Sequence, residues 1–289
     1  MTLRPWDCKK TDILILALYV LLLLGLYHSV LASMVKDWMD DPDFSHGFLI
    51  APFAGYLVWK KRRDIQRIDR RGNWAGIAIV LLAALTYYFG IVCSLEYATR
   101  ISFILWIYGS TIVIFGFSMW RALVFPMFFL LLMVPFPYLL YDQIAFPLKM
   151  VASNVAASLL DFVGIPAYRE GNIIVLTTMT LDVVDACSGI RSLMSLITIG
   201  CIVCYFRNRN KYVQAFVVLS AVPIAILVNS LRVFFTGVFI DLGYIRIAEG
   251  FYHTFSGWLV FLGGFFLMVS MSWFGEMIEN RCTANTRPS

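Results

Sequence analysis

Run after run of about twenty apolar residues fills this chain, and that pattern decides most of what it can fold into. A stretch that long with almost no charge crosses a bilayer as helix, because a helix pairs its own backbone inside hydrocarbon. The runs fall at 13–32, 47–59, 74–92, 101–119, 123–141, 190–206, 212–240 and 255–274. We therefore expect an all-α polytopic membrane protein with about eight transmembrane helices. The second run is short and is expected to begin before Gly47. Pro126, Pro135 and Pro137 predict that the fifth is kinked or ends early. The first run follows Lys9 and Lys10 as a secretory signal would, but it exceeds a signal core in length and reads as a retained anchor. Composition agrees: charged residues make up 14%, against about a quarter in soluble domains, and mean hydropathy is +0.79.

Basic residues set the expected orientation. Arg4, Lys9 and Lys10 precede the first run, and Lys60, Lys61, Arg62, Arg63, Arg67, Arg70 and Arg71 follow the second. Arg207, Arg209 and Lys211 follow the sixth, and Arg281 and Arg287 the eighth. Eight crossings put all of them on one side, which the positive-inside rule makes cytoplasmic, with both termini. The net charge of +5 is thus a record of topology and does not point to nucleic acid. The opposite face is acid-rich. No internal repeat or linker shows, so residues 1–289 read as a single integral membrane domain.

The longest outer segment is 135–186. Residues 141–163 carry apolar side chains at helical spacing, interrupted by polar ones, and predict an interfacial helix. Gly164 and Pro166 end it. Residues 171–184 are β-branched and partly alternating, and predict a small β-hairpin that delivers Cys187 to the helix behind it. Ile173, Val175, Leu181 and Val183 are expected to pack together.

The rare polar residues then fall into a pattern. Cys187 lies in Asp185-Ala186-Cys187-Ser188-Gly189-Ile190-Arg191-Ser192-Leu193, at the outer mouth of the sixth run. Ser188 can cap that helix, and a cysteine beside a helix N-terminus is a better thiolate than a free one. Arg232 lies within the seventh run, three residues after Asn229 and on the same helix face. An arginine inside a span costs about 2.5–3.5 kcal/mol or more and usually lines a polar site. His253 precedes the eighth run, with Ser256 three residues on. All of these fall on the outer side. His46, in Phe44-Ser45-His46-Gly47, is a rival histidine on the same side, and Arg191 can sit beside the cysteine or act as an anchor. Six cysteines and three histidines show no metal-ligand spacing, so neither a metal nor a cofactor is expected. Cys201 and Cys204 read as small residues on one helix face.

Taken together, these pieces resemble the exosortase/archaeosortase family of membrane transpeptidases. The likeness rests on Asp43-Phe44-Ser45-His46-Gly47-Phe48-Leu49, Glu170-Gly171-Asn172-Ile173-Ile174, the Cys187 motif, Asn229-Ser230-Leu231-Arg232-Val233, and His253 with Ser256-Gly257, in family order. The resemblance implies a catalytic trio of Cys187 (nucleophile), Arg232 (oxyanion stabiliser) and His253 (general acid/base), with Arg191, Asn229, Ser188, His46 and Ser256 around it. It implies a bacterial inner-membrane location and a periplasmic site. The implied substrates are exported, membrane-anchored proteins whose C-terminal sorting signal carries a Pro-Glu-Pro-like motif, one transmembrane helix and a basic tail. The acceptor is then lipid-linked or another envelope component, in a system tied to exopolysaccharide. Two other classes stay open on the residues alone. A transporter needs a midplane site on interrupted helices; a structural subunit of a polysaccharide-export machine needs no nucleophile.

Overall fold

Apolar runs that must satisfy their own backbone give helix, and helix dominates the fold. The structure is a computed structural model that describes residues 10–69, 71–183, 189–207, 210–244 and 251–285. Among these, seven helices are long and apolar enough to cross a membrane, and the only sheet has three short strands. The chain packs as two compact units, Met1–Pro137 and Tyr138–Ser289.

The N-terminal unit holds α1 (Lys10–Asp40), α2 (Gly47–Lys60), the short α3 (Arg62–Gln66), α4 (Ala75–Val92) and α5 (Glu96–Leu130), followed by a 3-10 turn, Leu131–Met133. Helix α2 starts at Gly47 and not earlier, because residues 42–46 form turns instead. The Asp41 carboxylate accepts from the Asp43 N–H at 2.8 Å, a local bond that competes with helix. At 14 residues α2 spans only about 21 Å.

Helix α5 is two helices joined at a break. Gly116 has φ +83° and ψ 175°, outside helical geometry. Before the break, Gly76 packs against Gly109 and Gly90 against Thr99, so this half runs antiparallel to α4. After it, Lys61 Nζ donates to the Ala122 carbonyl at 2.7 Å, and His46 Nε2 lies 3.3 Å from the Leu132 carbonyl. The second half therefore runs antiparallel to α2. It ends where Trp38 Nε1 donates to the Met133 carbonyl at 3.0 Å. Asp37, next to Trp38, pairs at 2.7 Å with Arg100 in the first turns of α5, so α5 leaves this end and comes back to it. One 38-residue apolar run thus holds two antiparallel segments, corresponding to the fourth and fifth runs of the sequence reading, divided at Gly116 and finished by Met133.

The loop before α4 closes the break: the Asn73 N–H donates to the Ile112 carbonyl at 3.0 Å, and the Arg71 carbonyl lies 2.0 Å from where a Gly116 Cβ would be. Gly116→Val is thus expected to cost at least the ~1–3 kcal/mol typical of a strained backbone site, since the Arg71 carbonyl must also move. The check is thermal unfolding in detergent, with Gly55→Ala, whose Cβ would meet nothing within 4 Å, as the unaffected control.

The C-terminal unit holds α6 (Tyr138–Phe162), strands β1 (Ala167–Glu170), β2 (Ile173–Leu176) and β3 (Thr180–Asp182), and then α7 (Ile190–Arg207), α8 (Lys211–Asp241) and α9 (Phe251–Asn285). Helix α6 is longer than the interfacial helix expected, and at 25 residues it could itself cross a membrane; it is the least apolar of the seven. Asn210 starts α8 by accepting from the Tyr212 N–H at 2.9 Å, an N-cap bond that fixes the tight α7–α8 connection. Gly200 packs on Val218, so α7 and α8 are antiparallel. Gly264 packs on Val228 and Leu196, and Gly275 on Val213, so α9 is antiparallel to α8 as well.

A fully buried core of Leu196, Val217, Ala221 and Met268 joins these three helices. A second core, built from Ala156, Leu160, Ile174, Leu176, Val183, Val233 and Ile240, seats the sheet on α6 and on the later half of α8. The sheet is antiparallel in the order β1-β2-β3, one strand more than the hairpin expected. Its inward residues also differ. Ile174 and Leu176 are buried with Val183, whereas Val175 is exposed. Side chains alternate across a strand, so a one-residue misjudgement of phase exchanges the whole face.

Candidate active site

Two of the candidate residues, Arg191 and Asn229, meet the start of α7. Gly189 has φ +77°, a conformation open to glycine, and its carbonyl accepts the Leu193 N–H at 2.9 Å to start the helix. A Cβ at Gly189 would lie 3.2 Å from Asn229 Cγ and Nδ2. The mouth of α7 therefore rests directly on Asn229, which is 3% exposed. A larger residue at Gly189 would meet both the backbone strain and this contact.

Arg232 follows one turn after Asn229 in α8 and is half-buried. Arg191 lies in the first turn of α7 and is also half-buried. The first N–H groups of a helix have no partner within it and favour an anion nearby. Two guanidiniums and a helix N-terminus thus share one end of the bundle, a setting that favours negative charge. Cys187 and Ser188 lie outside the described residues.

His253 and Ser256 belong to the first turns of α9, and their side chains lie outside what is described. Helix rise gives their level. Arg232 is about 6 Å beyond Val228, and His253 about 16 Å beyond Gly264, both toward the Gly189 end. The two backbones are therefore offset along the bundle by about 10 Å.

His46 is built into the N-terminal unit. Its Nδ1 lies 3.2 Å from the Asp43 carbonyl and its Nε2 3.3 Å from that of Leu132. Neutral imidazole has one N–H, so its lone pair faces a carbonyl whichever tautomer forms. Burial holds its pKa below the usual 6.5, outweighing the two carbonyl contacts that act the other way. A histidine depressed in the folded state binds fewer protons there than when unfolded, so its stabilisation is full above about pH 6.5 and is lost as pH falls. Thermal unfolding should show the wild type losing more stability between pH 7.5 and 5.5 than His46→Gln does; equal losses would refute this.

Arg100 escaped the sequence reading. It is 4% exposed and bonds Asp37, Glu96 and, at 3.4 Å, the Ser33 hydroxyl. The signal available was an arginine at the very start of an apolar run with two acids near span ends. Pairing makes it a structural ion cluster of the N-terminal unit. At the other end of the C-terminal unit, a cavity of about 480 Å³ is lined by Arg207, Trp273, Glu276 and Arg281. There Arg207 Nη2 donates to Glu276 at 2.9 Å and its guanidinium stacks over Trp273. That groove lies away from the mouth of α7. No group of His, Cys, Asp and Glu among the described residues could hold a metal ion.

The family model for the transmembrane exosortases matches residues 38–270. No curated protein and no solved structure matches the chain.

Proposed function

The chain belongs to the transmembrane exosortase family, and on that premise we propose that it is a membrane-embedded cysteine transpeptidase acting on C-terminal sorting signals. Cys187 is the nucleophile. Its thiolate attacks the scissile carbonyl carbon, and the C–N bond breaks once the tetrahedral intermediate collapses. Arg232, with the first N–H groups of α7, stabilises the oxyanion; one such donor is worth about 2.7–4 kcal/mol. His253 takes the thiol proton and gives it to the leaving amine. A lipid-linked or envelope acceptor then attacks the thioester and regenerates the thiolate. With water as acceptor the same steps make a protease.

The observation that carries this reading is the contact of Gly189 with Asn229. It brings the segment that follows Cys187 against the turn of α8 that ends in Arg232, and the family match runs through both. The match also runs through both compact units, which supports one functional domain. The substrates are exported proteins anchored by one helix and bearing a Pro-Glu-Pro-like motif, in an exopolysaccharide-producing bacterium. The enzyme sits in the inner membrane with cytoplasmic termini and a periplasmic site. Helix α5 is interrupted, as transporter helices often are. Yet its break lies beside the Arg71 loop, where the chain reverses, and not midway along a crossing, so it offers no midplane binding site.

The test is co-expression with a tagged protein ending in such a sorting signal. A size shift that needs both the signal and this chain is expected. An unchanged substrate, with the enzyme confirmed in the membrane, would contradict the assignment. Orientation is tested in intact cells with an impermeant thiol reagent: a cysteine placed at Gln66 should be protected and one placed at Tyr168 labelled. The reverse pattern would put the site on the wrong face.

A further inference from the structure

We propose that Asn172 is a positioning residue for the nucleophile: it holds the end of β3, and so fixes the segment that carries Cys187. The proposal rests on Cys187 being the nucleophile. Gly171 and Asn172 form the two-residue turn between β1 and β2, with Glu170 paired to Ile173 across it. Gly171 has φ +65°, as a tight hairpin turn with glycine first requires. That turn aims Asn172 not at its own hairpin but at the far strand.

Asn172 Nδ2 donates to Asp182 Oδ1 at 2.9 Å and to the Val183 carbonyl at 3.4 Å. Its own carbonyl accepts the Val183 N–H at 3.1 Å. One residue thus takes hold of both backbone polar groups of Val183 and the side chain beside it. These are the last described residues before the Cys187 segment. Val183 is 1% exposed and locked in the core with Ile174 and Leu160, so the clamp acts on a point that packing already immobilises. Behind the turn, Ser153 of α6 donates to the Lys149 carbonyl at 2.7 Å, and its buried hydroxyl oxygen lies 3.5 Å from the Asn172 carbonyl.

The geometry calls for an amide at this position. Aspartate has no N–H to give and would face the Asp182 carboxylate at the same distance. Alanine would leave Asp182 and the Val183 carbonyl without their donor. Asn172 itself lies on the sheet, and nothing in its geometry has it touch substrate. Its effect is therefore on the placement of the thiol, where an error near 1 Å can cost about 100-fold in rate.

The experiment is a single turnover with enzyme in saturating excess over a tagged substrate ending in a Pro-Glu-Pro-bearing sorting signal. The rate constant then does not depend on what fraction of the enzyme is folded, which separates positioning from instability. Asn172→Asp should lower it by about 30- to 100-fold. Asp182→Asn should change it little, since Asn172 can still donate to an amide oxygen. The double variant Asn172→Asp/Asp182→Asn restores the side-chain pair with donor and acceptor exchanged but not the bond to the Val183 carbonyl, and should recover part of the loss, as coupled neighbours do. If Asn172→Asp does not accumulate, Asp182→Ala carries the test, with a drop of at least about fivefold expected. A rate for Asn172→Asp within about twofold of wild type, or no recovery in the double variant, overturns the proposal. Cys187→Ala in the same assay separates the two ideas. Inactivity there with a normal Asn172→Asp sinks the clamp alone, whereas activity there sinks the nucleophile and the clamp with it.

Discussion

Cys187→Ser is expected to stop processing altogether, with at least about a 10³-fold loss at matched protein levels. The change is one atom in size but large in acidity. A thiol of pKa near 8.5 gives a useful thiolate fraction at neutral pH, and a helix N-terminus raises it further. A serine hydroxyl has no such fraction and needs a base poised to deprotonate it during attack. The substitution changes a single atom, and the variant is expected to unfold like the wild type. Processing by Cys187→Ser within tenfold of normal would remove the cysteine from the mechanism.

Arg232→Lys is the second large effect, expected at about 10²- to 10³-fold, the size of losing an oxyanion donor. The substitution keeps the charge but replaces a planar fork of five donors by a compact ammonium. Arg232 stands in an apolar helix one turn beyond a buried asparagine. Its level along the bundle lies about 10 Å from that of His253. A lysine lacks the fork. His253→Ala removes the proton carrier, a role worth about 10²- to 10⁴-fold, and should regain part of its activity at high pH as the thiol ionises unaided. Arg191→Ala and His46→Ala should be milder. Near-normal turnover by Arg232→Lys, measured as substrate processed in membranes, would rule out a two-pronged contact with the oxyanion.

Most of the membrane architecture is legible in the sequence because hydropathy is a one-dimensional signal, and twenty apolar residues have few options. What it hides is conformational. The fourth crossing was expected to run to 119; the chain turns at Gly116 instead, where glycine accepts a positive φ beside the Arg71 carbonyl. Strand β1 is short and mixed in polarity, so it carries no periodic signal, although Gly171-Asn172 is a recognisable turn pair. The inward face of β2 was misjudged because Ile173, Ile174, Val175 and Leu176 are all apolar, and such a run has no phase to read. The partnership of Asn172 with Asp182 depends on a side chain crossing from turn to strand, which no spacing rule announces. The candidate site was visible for the opposite reason: cysteine, arginine and histidine are conspicuous where nearly everything else is apolar.

The central claim is a covalent one, and trapping tests it most directly. Membranes holding the wild-type chain are mixed with a tagged sorting-signal substrate and quenched in acid within one turnover. The account predicts an enzyme–substrate adduct that hydroxylamine releases, as it does a thioester, and whose mass maps to the peptide containing Cys187. The adduct should accumulate in wild type when the acceptor is withheld and be missing from Cys187→Ala. Processing that proceeds at full rate with no such adduct, or an adduct that maps to another residue, would contradict it.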